Sequence, residues 1–495
     1  MIADHLPALQ VVLPLVAATV CAMVDRRHVA YVIALLTSFA MPLIAVALLI
    51  QVLDQGVISY AMGGWEPPIG IEYRIDVANA FVLVILSLVA ALIMPYAARS
   101  VAAEIPENKQ AWFYCMYLLC LSGLLGITIT GDAFNAFVFL EISSLATYVL
   151  IAMGADRRAL LAAFQYLVMG TIGATFYVVG VGLLYTMTGT LNFADIAARL
   201  QELDIETSRP VLAALAFITV GIGLKVAMFP LHAWLPNAYA GAPSVATAFL
   251  AATATKVAVY LLLRYFYTIF GFDVVFVQHP VAQVLLILAV AGMFAGSLIA
   301  IFQDNIKRML AWSSVAQIGY ILLGVSLINH TALTGGIVHL FNHALIKGAL
   351  FFAVGGFALM AGTVRISQLA GIGRTMPVTM AAFVLAGLSL IGVPGTVGFV
   401  SKWYLVLGAF EAGMWWVGFL ILITSLLAVV YLGRVVEVAF FRDPEGGAAK
   451  AIEPPLSMLA PTWILVAACI VFGIDAELTA GTAMQAASVL IEGLR

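Results

Sequence analysis

Several side chains that can gain or lose a proton lie inside long apolar stretches of this sequence. They are Glu141, Lys225, His232, Lys256, His339, His343, Lys347 and Lys402. An ionisable group at the centre of a bilayer costs at least about 2.5–3.5 kcal/mol on insertion scales, and such groups mark functional sites in membrane proteins. Lysine, histidine and glutamate can each pass a proton to a neighbour, so this set predicts a proton path through a membrane.

The segment HLFNHALIK has the most regular spacing. His339, His343 and Lys347 are spaced four residues apart. In an α-helix they therefore share one face, with each side chain rotated by about 40° around the helix axis from the one before it. They would form a polar stripe about 12 Å long that faces the protein interior or water rather than lipid. Because histidine titrates nearest to neutral pH, the stripe predicts a proton relay. The alternatives are histidines that only pack between helices, and a zinc site, which the neighbouring cation and the missing acidic ligand disfavour.

Two of the apolar stretches are interrupted by proline and glycine near these residues. Pro230 and Pro236 flank His232 in MFPLHAWLP, which follows Lys225, and IGVPGTVGFV precedes Lys402. Proline removes a backbone donor and clashes with the preceding turn. Backbone groups freed at membrane depth are tolerated where they line an enclosed or hydrated cavity. Broken helices at matching places in two halves are typical of transporter paths, and packing kinks without a role are the alternative.

Glu141 is the single carboxylate within its apolar run, FNAFVFLEISSLATYVLIA. A buried lysine changes its protonation state readily, and a nearby carboxylate favours its charged form. A pair between Glu141 and Lys225 or Lys256 would therefore act as a switch that releases a proton when the pair opens. Spacing along the sequence does not bring these residues together, so the pair is a hypothesis.

The composition of the chain indicates which elements must position these groups. Hydrophobic residues make up 64% of the 495 residues and charged residues 9%, against about 45–50% and about 25% in soluble globular domains. The mean hydropathy is +1.11. The net charge is −3 and the charges are scattered, so there is no basic patch of the kind that binds nucleic acid. We therefore predict an all-α polytopic membrane protein, embedded in the lipid bilayer, without a soluble domain.

Fourteen apolar runs are long enough for transmembrane helices, which need about 20 residues, and we number them spans 1 to 14. They fall near residues 7–24, 29–53, 77–98, 110–131, 133–154, 159–188, 211–230, 243–270, 281–303, 309–329, 332–361, 376–410, 412–440 and 456–474. We predict a single integral membrane domain over residues 1–495. The polar stretch 189–210 has regularly placed apolar residues, including Ile196 and Leu200, and predicts a short amphipathic helix along the membrane surface.

Lysine and arginine are distributed unequally between alternate loops, and this bias predicts the orientation of the chain. Twelve lie in loops on one side: Arg26, Arg27, Arg99, Lys109, Arg157, Arg158, Lys307, Arg308, Arg365, Arg374, Arg442 and Lys450. Four lie on the other side: Arg74, Arg199, Arg209 and Arg495. Because positive residues concentrate in cytoplasmic loops, we expect the first side to be cytoplasmic and both chain termini to lie outside the cytoplasm.

The sequence contains no enzyme signature that we recognise. GxG pairs such as Gly180 and Gly182 lack the third glycine and the preceding strand of a dinucleotide-binding loop. The four cysteines form no CxxC, so neither a metal site nor a redox pair is expected. We expect no cofactor, no metal and no catalytic residue, and a transporter subunit rather than an enzyme.

Several of these motifs, in this order, resemble those of the antiporter-like proton-translocating subunits shared by respiratory complex I and the multi-subunit Mrp-type sodium/proton antiporters. The motifs are FVFLEISSLATYVL, GLKVAMFPLHAWLPNAYAGAPS, the run with Lys256, DNIKRMLAWSSVAQIGY, HLFNHALIKGALFF and GVPGTVGFVSKWY. The resemblance covers nearly the whole chain and is strongest from about residue 130 to residue 405.

The resemblance implies two inverted five-helix repeats, spans 4–8 (about residues 110–270) and spans 9–13 (about residues 281–440), with breaks in spans 7 and 12. It implies that Glu141 and Lys225 form a first pair, that Lys256 is a central relay, and that the stripe on span 11 passes protons to Lys402. It also implies a multi-pass protein of the bacterial inner (plasma) membrane. Other membrane subunits would be its partners, and protons and Na+ would be the transported ions.

Within this family the segments GVPGTVGFVSKWY and FVFLEISSLATY are most similar to the D subunit of the Mrp antiporter. Lys402 stands where one complex I subunit has a glutamate, which argues against that subunit, and 495 residues are too few for the longest subunits. The alternative is a proton-pumping membrane subunit of an NADH-quinone oxidoreductase or of a membrane-bound hydrogenase. Two other roles stay open: a scaffold for conducting partners, and a non-redox part of a complex driven by a cofactor-bearing arm.

Overall fold

The computed structural model describes residues 3–444 and 446–492. Thirteen helices in these residues are long and apolar enough to cross a membrane. Helices Pro377–Ile391 and Val397–Glu411 lie end to end across a break and together form span 12. The described residues thus contain all fourteen predicted spans, and the predicted fold class is confirmed.

Each span begins and ends within a few residues of its predicted limits, apart from the breaks described below. Spans 1 to 8 are Leu6–Val24, Arg27–Gln55, Val77–Glu104, Gln110–Ile129, Ala133–Ala152, Arg157–Thr188, Arg209–Val226, and Ser244–Ala252 with Ala254–Leu263, which the π-helical segment Arg264–Ile269 continues. Spans 9 to 14 are Val281–Ile301, Ile306–Ser326, His330–Ala361, Pro377–Ile391 with Val397–Glu411, Trp415–Phe441 and Leu456–Ile474. Helices form here because backbone groups in hydrocarbon must be satisfied within their own segment.

Spans 8 and 10 lie at the centre of the fold. In their most apolar windows 94% of the residues are buried inside the protein, against 33% for spans 1, 2, 13 and 14. Because lipid tails are as apolar as leucine, outward-facing apolar side chains on the peripheral spans are compatible with a bilayer. The ionisable residues of spans 8, 10 and 11 are consequently enclosed by other helices.

The predicted breaks in spans 7 and 12 are present, and span 8 has a further one. Span 7 ends at Val226, and after residues 227–234 a short helix, Leu235–Gly241, continues the chain. Span 12 is interrupted at Gly392, whose φ of +95° lies in the left-handed region that favours glycine. Span 8 is interrupted at Thr253, with φ −123° and ψ −60°, where neither proline nor glycine predicts a break.

Two matching backbone clamps relate the two halves of the fold. Residues 131–133, at the start of span 5, pair with residues 191–193 through two backbone hydrogen bonds of 2.8 Å. Residues 304–306, at the start of span 10, pair with residues 364–366 through equivalent bonds of 2.8 and 2.6 Å. Spans 5 and 10 are five crossings apart and so begin on opposite faces, as expected of inverted five-helix repeats.

Several smaller elements lie outside the spans. A two-stranded antiparallel hairpin, β1 (Ile58–Ala61) and β2 (Glu72–Ile75), joins spans 2 and 3 and was not expected in an all-α chain. The expected amphipathic helix is Phe193–Glu202, which buries Phe193, Ile196 and Leu200. A further helix, Glu477–Glu492, follows span 14.

A buried ion pair holds span 8 against the start of span 3. The Arg264 guanidinium contacts the Asp76 carboxylate, and its Nε donates to Tyr260 Oη at 2.8 Å. Asp76 also accepts hydrogen bonds from the backbone N–H groups of Ala78 and Asn79, which caps span 3. Arg264 and Asp76 are both buried, so each compensates a charge that would otherwise be unpaired.

The loops after the odd-numbered spans form one side of the fold, which we call the basic face. Eleven of the twelve basic residues assigned to it occupy these loops or the adjoining ends of the helices. Lys307 is different: it lies in the first turn of span 10 and is 5% exposed, so it is a buried residue rather than a loop residue. Arg495, assigned to the opposite side, lies outside the described residues.

Candidate functional site

Lys225 lies in the last turn of span 7, just before its break. Its Nζ donates to Ser144 Oγ of span 5 at 2.5 Å. The rings of Tyr148 and Tyr166 lie beside the ammonium, with centroids 6.0 and 5.9 Å from Nζ. Lys225 is 6% exposed, so a hydroxyl and two aromatic rings replace the water that an exposed lysine would bind.

Glu141 does not form the expected ion pair. Among the described residues no carboxylate lies within 4.0 Å of Lys225 or Lys256, and Ser144, one turn after Glu141, holds Lys225 instead. The Oε1 atom of Glu141 is buried and has no hydrogen-bond partner in the part of the chain that the structure describes. Its neighbours on the helix surface, Val138 and Leu145, are 38% and 54% exposed, so Glu141 lies at the edge of an outward-facing stripe.

Lys256 follows the break in span 8. Its Nζ donates to the Ala251 carbonyl and lies 3.4 Å from Thr255 Oγ1. A break in a helix leaves carbonyls without an intrahelical partner, and here one of them binds the ammonium. Lys256 is 2% exposed and occupies the central span, as expected for a middle position in the path.

The polar stripe on span 11 faces the protein interior. His339 Nδ1 lies 2.8 Å from Ser401 Oγ and its Nε2 lies 2.9 Å from Gln317 Oε1. The His343 ring stacks on the His339 ring with centroids 6.1 Å apart, and neither nitrogen of His343 has a hydrogen-bond partner among the described residues. Buried polar atoms are seldom left unsatisfied, so the surroundings of His343 are where ordered water is expected.

Lys347 ends the stripe and is fully buried. Its Nζ donates to the Leu310 carbonyl at 2.7 Å and to Ser313 Oγ at 2.5 Å, both in span 10. The Ser313 contact resembles the one between Lys225 and Ser144 in the first half. In each half a lysine is therefore bound by a serine of the neighbouring helix.

Lys402 turns back towards the break of its own span. Its Nζ donates to the carbonyls of Leu390 and Ile391 at 3.1 and 2.8 Å, and to Ser425 Oγ at 2.9 Å. These carbonyls end helix Pro377–Ile391, where the helix dipole favours a cation. The Tyr320 ring lies 4.8 Å from Nζ, and the same ring lies 5.5 Å from the His339 ring. Tyr320 thus connects the stripe on span 11 with Lys402.

His232 lies in the break of span 7, at the junction of the two halves. Its ring stacks on Phe229 at 5.2 Å and meets Trp312 of span 10 edge-on at 5.0 Å. Its Nδ1 is buried without a hydrogen-bond partner among the described residues. The structure therefore places His232 in an aromatic contact between halves.

The structure brings some of the predicted residues into contact. Within the second half, His339, His343 and Lys402 are connected through Tyr320, Ser401 and the stacked rings. Lys347 is bound by the Leu310 carbonyl and Ser313 Oγ of span 10 instead. Lys225 and Lys256 are each held by oxygens of their own surroundings, and no direct hydrogen bond joins them in the described residues. Proton transfer between such separated groups requires water.

Sequence reasoning missed the hydroxyl and amide partners of the lysines and histidines. Ser144 and Ser313 lie in the doublets of FLEISSLATY and LAWSSVAQIGY, and Ser401 directly precedes Lys402. The signal was available, because small polar residues inside apolar helices usually find a partner across a helix interface. No group of three or more histidine, cysteine, aspartate or glutamate residues able to hold a metal occurs in the described chain.

Comparisons with known proteins agree with this architecture. Residues 130–428 match the family model described as NADH:quinone oxidoreductase/Mrp antiporter, transmembrane. The N subunit of an NADH-quinone oxidoreductase from Desulforudis audaxviator is 43% identical over 96% of both chains. The D subunit of an Na+/H+ antiporter from Alkalihalophilus pseudofirmus is 29% identical over 99% of this chain and 98% of that chain.

A chain in the solved Mrp complex of a Dietzia species has the same fold, with a TM-score of 0.90 and 27% identity over 99% of this chain and 98% of that chain. That chain is therefore similar to this one over nearly the whole length of both. The family model and the relative that is 43% identical agree on the same family. This chain therefore belongs to the NADH:quinone oxidoreductase/Mrp antiporter transmembrane family.

Proposed function

We propose that this chain is the proton-translocating subunit of a multi-subunit Mrp-type Na+/H+ antiporter. Protons would move along Glu141, Lys225, His232, Lys256, His339, His343, Lys347 and Lys402. The proposal rests on the hydrogen bonds of four buried lysines, Lys225, Lys256, Lys347 and Lys402. In the described residues each ammonium is bound by carbonyl or hydroxyl oxygens, and none contacts a carboxylate within 4.0 Å.

This bonding suits a group that must gain and lose a proton. A buried carboxylate beside a lysine would hold the proton through its fixed negative charge. Carbonyl and hydroxyl oxygens bind the ammonium without a full charge, and a hydroxyl can instead donate to the neutral amine. Lys225 and Lys347 each have such a hydroxyl at 2.5 Å.

A second function is favoured by a specific observation. The relative with 43% identity is named as a subunit of an NADH-quinone oxidoreductase, whereas two relatives named as Na+/H+ antiporter subunits are 29% and 28% identical. The alternative is therefore a proton-pumping membrane subunit without redox chemistry of its own. The same buried residues would serve both functions, because the two differ in what drives the protons.

The proteins that purify with this chain would distinguish the two functions. A tagged chain is extracted in mild detergent, and its partners are identified by mass spectrometry. The proposal expects other membrane subunits without redox cofactors, and Na+-dependent proton movement after reconstitution into vesicles. Partners that carry flavin or iron–sulfur clusters, together with quinone-dependent proton movement, would establish the alternative.

The path itself is tested in the same vesicles. Glu141→Gln and Lys225→Ala should each remove coupled proton movement while the complex still assembles, because each change removes a titratable group from the path. Glu107→Gln, at an exposed carboxylate on the basic face, is the matched control and should transport normally. Near-normal transport in both path variants would refute the assigned path.

We also propose that the basic face is cytoplasmic, in a bacterial inner membrane, with both termini on the opposite side. Thr207 lies between spans 6 and 7 and Lys450 between spans 13 and 14, and both are exposed. In whole cells, Thr207→Cys should react with an impermeant thiol reagent and Lys450→Cys should not. The native cysteines are all buried. Labelling of Lys450→Cys alone would reverse the topology.

A further inference from the structure

Lys307 is a buried lysine that the path described above does not use. It lies in the first turn of span 10, next to the basic face, and is 5% exposed. Its Nζ donates to the carbonyl of Ala242 at 3.2 Å. A buried ammonium bound by one neutral oxygen is weakly compensated for its lost hydration, so a functional explanation for its position is needed.

Glu104, the last residue of span 3, lies on the other side of the same short turn. Its carboxylate accepts hydrogen bonds from Ser244 N at 2.8 Å, Ser244 Oγ at 3.1 Å and Ser100 Oγ at 2.7 Å. Ala242 and Ser244 are separated only by Pro243, so Lys307 and Glu104 bind the two ends of one three-residue turn. No direct ion pair within 4.0 Å joins them in the described residues.

Span 10 leads directly from Lys307 to Lys347. The Leu310 carbonyl, which accepts from Lys347 Nζ at 2.7 Å, is three residues after Lys307, a rise of about 4.5 Å along the helix. Ser313, the other partner of Lys347, is one turn further. Span 10 therefore carries Lys307 at the basic face and, within two turns, both oxygen atoms that bind Lys347.

A chamber of about 450 Å³ opens on the basic face at the start of span 10. Charged and polar residues of both halves line it, among them Asp156, Arg158, Asp304, Asn305, Arg308 and Arg365. Gly241, another lining residue, directly precedes Ala242, and Arg308 directly follows Lys307. Lys307 and Ala242 are therefore each adjacent in sequence to a residue that lines the chamber.

We infer that Lys307, assisted by Glu104, is the proton-exchange site that connects the chamber on the basic face with Lys347. This inference rests on the proposed proton path. In the transfer step an N–H bond of the Lys307 ammonium breaks and an N–H bond forms on the neutral amine of Lys347, through intervening water. The neutral amine of Lys307 then takes up a hydrated proton from the chamber, and the reverse sequence carries a proton outward. Glu104 keeps a negative charge near Lys307 without binding it.

A purely structural role for Lys307 predicts a different ranking of variants. As a fixed cation at the carbonyl end of helix Leu235–Gly241, Lys307 would be replaced well by arginine and poorly by histidine. As a proton-exchange site it would be replaced better by histidine, which titrates near neutral pH, than by arginine, which does not release its proton. The order of the two variants therefore separates the roles.

The experiment measures proton flux in vesicles, normalised to assembled complex, and the thermal stability of the purified complex. Lys307→Arg should retain native stability and lose flux by at least about tenfold, and Lys307→His should keep more flux than Lys307→Arg. Glu104→Gln should lower flux with little change in stability, because the amide oxygen can still accept from Ser244. Lys109→Gln, at an exposed lysine of the basic face that does not line the chamber, is the control and should transport normally.

Near-native flux in Lys307→Arg, or more flux in Lys307→Arg than in Lys307→His, would overturn the inference. Lys347→Met distinguishes this failure from a failure of the proposed path. If Lys347→Met abolishes flux while Lys307→Arg transports normally, the path stands and Lys307 is structural. If Lys347→Met also transports normally, the proposed path itself is wrong, and the inference about Lys307 falls with it.

Discussion

Lys402 offers the sharpest test of the difference between a proton carrier and a fixed charge. Its ammonium has three hydrogen-bond acceptors, the carbonyls of Leu390 and Ile391 and the hydroxyl of Ser425, and it lies over the Tyr320 ring. Lys402→Arg keeps the positive charge and offers more donors to the same oxygens. Lys402→Ala removes the charge and all three contacts.

The two substitutions have different expected magnitudes. The ordinary pKa values of arginine and lysine differ by about 3 units, or about 4 kcal/mol, so a neutral arginine is about a thousandfold rarer than a neutral lysine in the same site. Flux through a step that requires the neutral form should fall at least about a hundredfold in Lys402→Arg. In Lys402→Ala the Leu390 carbonyl loses its donor in a buried contact and the Ile391 carbonyl loses it in a partly buried one. An unsatisfied buried acceptor costs about 1–3 kcal/mol, so this variant should also be less stable.

The assay follows the collapse of an imposed proton gradient in vesicles that contain the purified complex, and thermal unfolding of the same complex in detergent. Lys109→Arg, at an exposed lysine of the basic face, controls for the exchange of lysine for arginine and should behave as the native protein does. A proton carrier predicts that both Lys402 variants are inactive and that only Lys402→Ala is destabilised. Substantial flux in Lys402→Arg would show that Lys402 acts as a fixed cation, and the reasoning from its neutral acceptors would be refuted.

Two further predictions concern contacts that hold the site. Ser144→Ala removes the hydroxyl at 2.5 Å from Lys225 Nζ. Because hydrogen bonds to charged groups contribute about 1.5–3 kcal/mol, proton flux should slow by about tenfold or more. Flux equal to that of the native complex would mean that proton transfer does not use this contact. Asp76→Asn or Arg264→Gln should each destabilise the protein by about 3–5 kcal/mol, because each leaves a buried charge unpaired. Thermal unfolding in detergent should show that the double variant loses less stability than the two single variants lose in total. Strictly additive losses would show that Asp76 and Arg264 do not stabilise each other.

The spans could be predicted from the sequence because each is a local property. About 20 apolar residues between polar boundaries specify a membrane helix wherever it packs, and prolines and glycines marked the breaks in spans 7 and 12. The break at Thr253 was not predictable in this way, because it lacks both residues. It coincides with the place where the ammonium of Lys256 binds the Ala251 carbonyl, so a tertiary contact accompanies the irregularity.

The contacts of the site depend on which helix faces meet, and a single sequence does not contain that information. The regular spacing of His339, His343 and Lys347 correctly predicted that they share an inward face. The same kind of reasoning could not establish the distance between Glu141 and Lys225, which lie on different helices. Ser144, three residues after Glu141, occupies the position that the hypothesis gave to the carboxylate.

The matching clamps at the starts of spans 5 and 10 bear on how the two halves could diverge. Each clamp is made of main-chain N–H and C=O groups, so it does not depend on which side chains are present. Gly131, Asp132 and Ala133 form one clamp where Asp304, Asn305 and Ile306 form the other. Substitutions at these positions can therefore accumulate while both halves keep the same main-chain architecture. The two halves can therefore differ in the ionisable residues of their spans, as they do here. Glu141 lies in the first half, and His339 and His343 lie in the second.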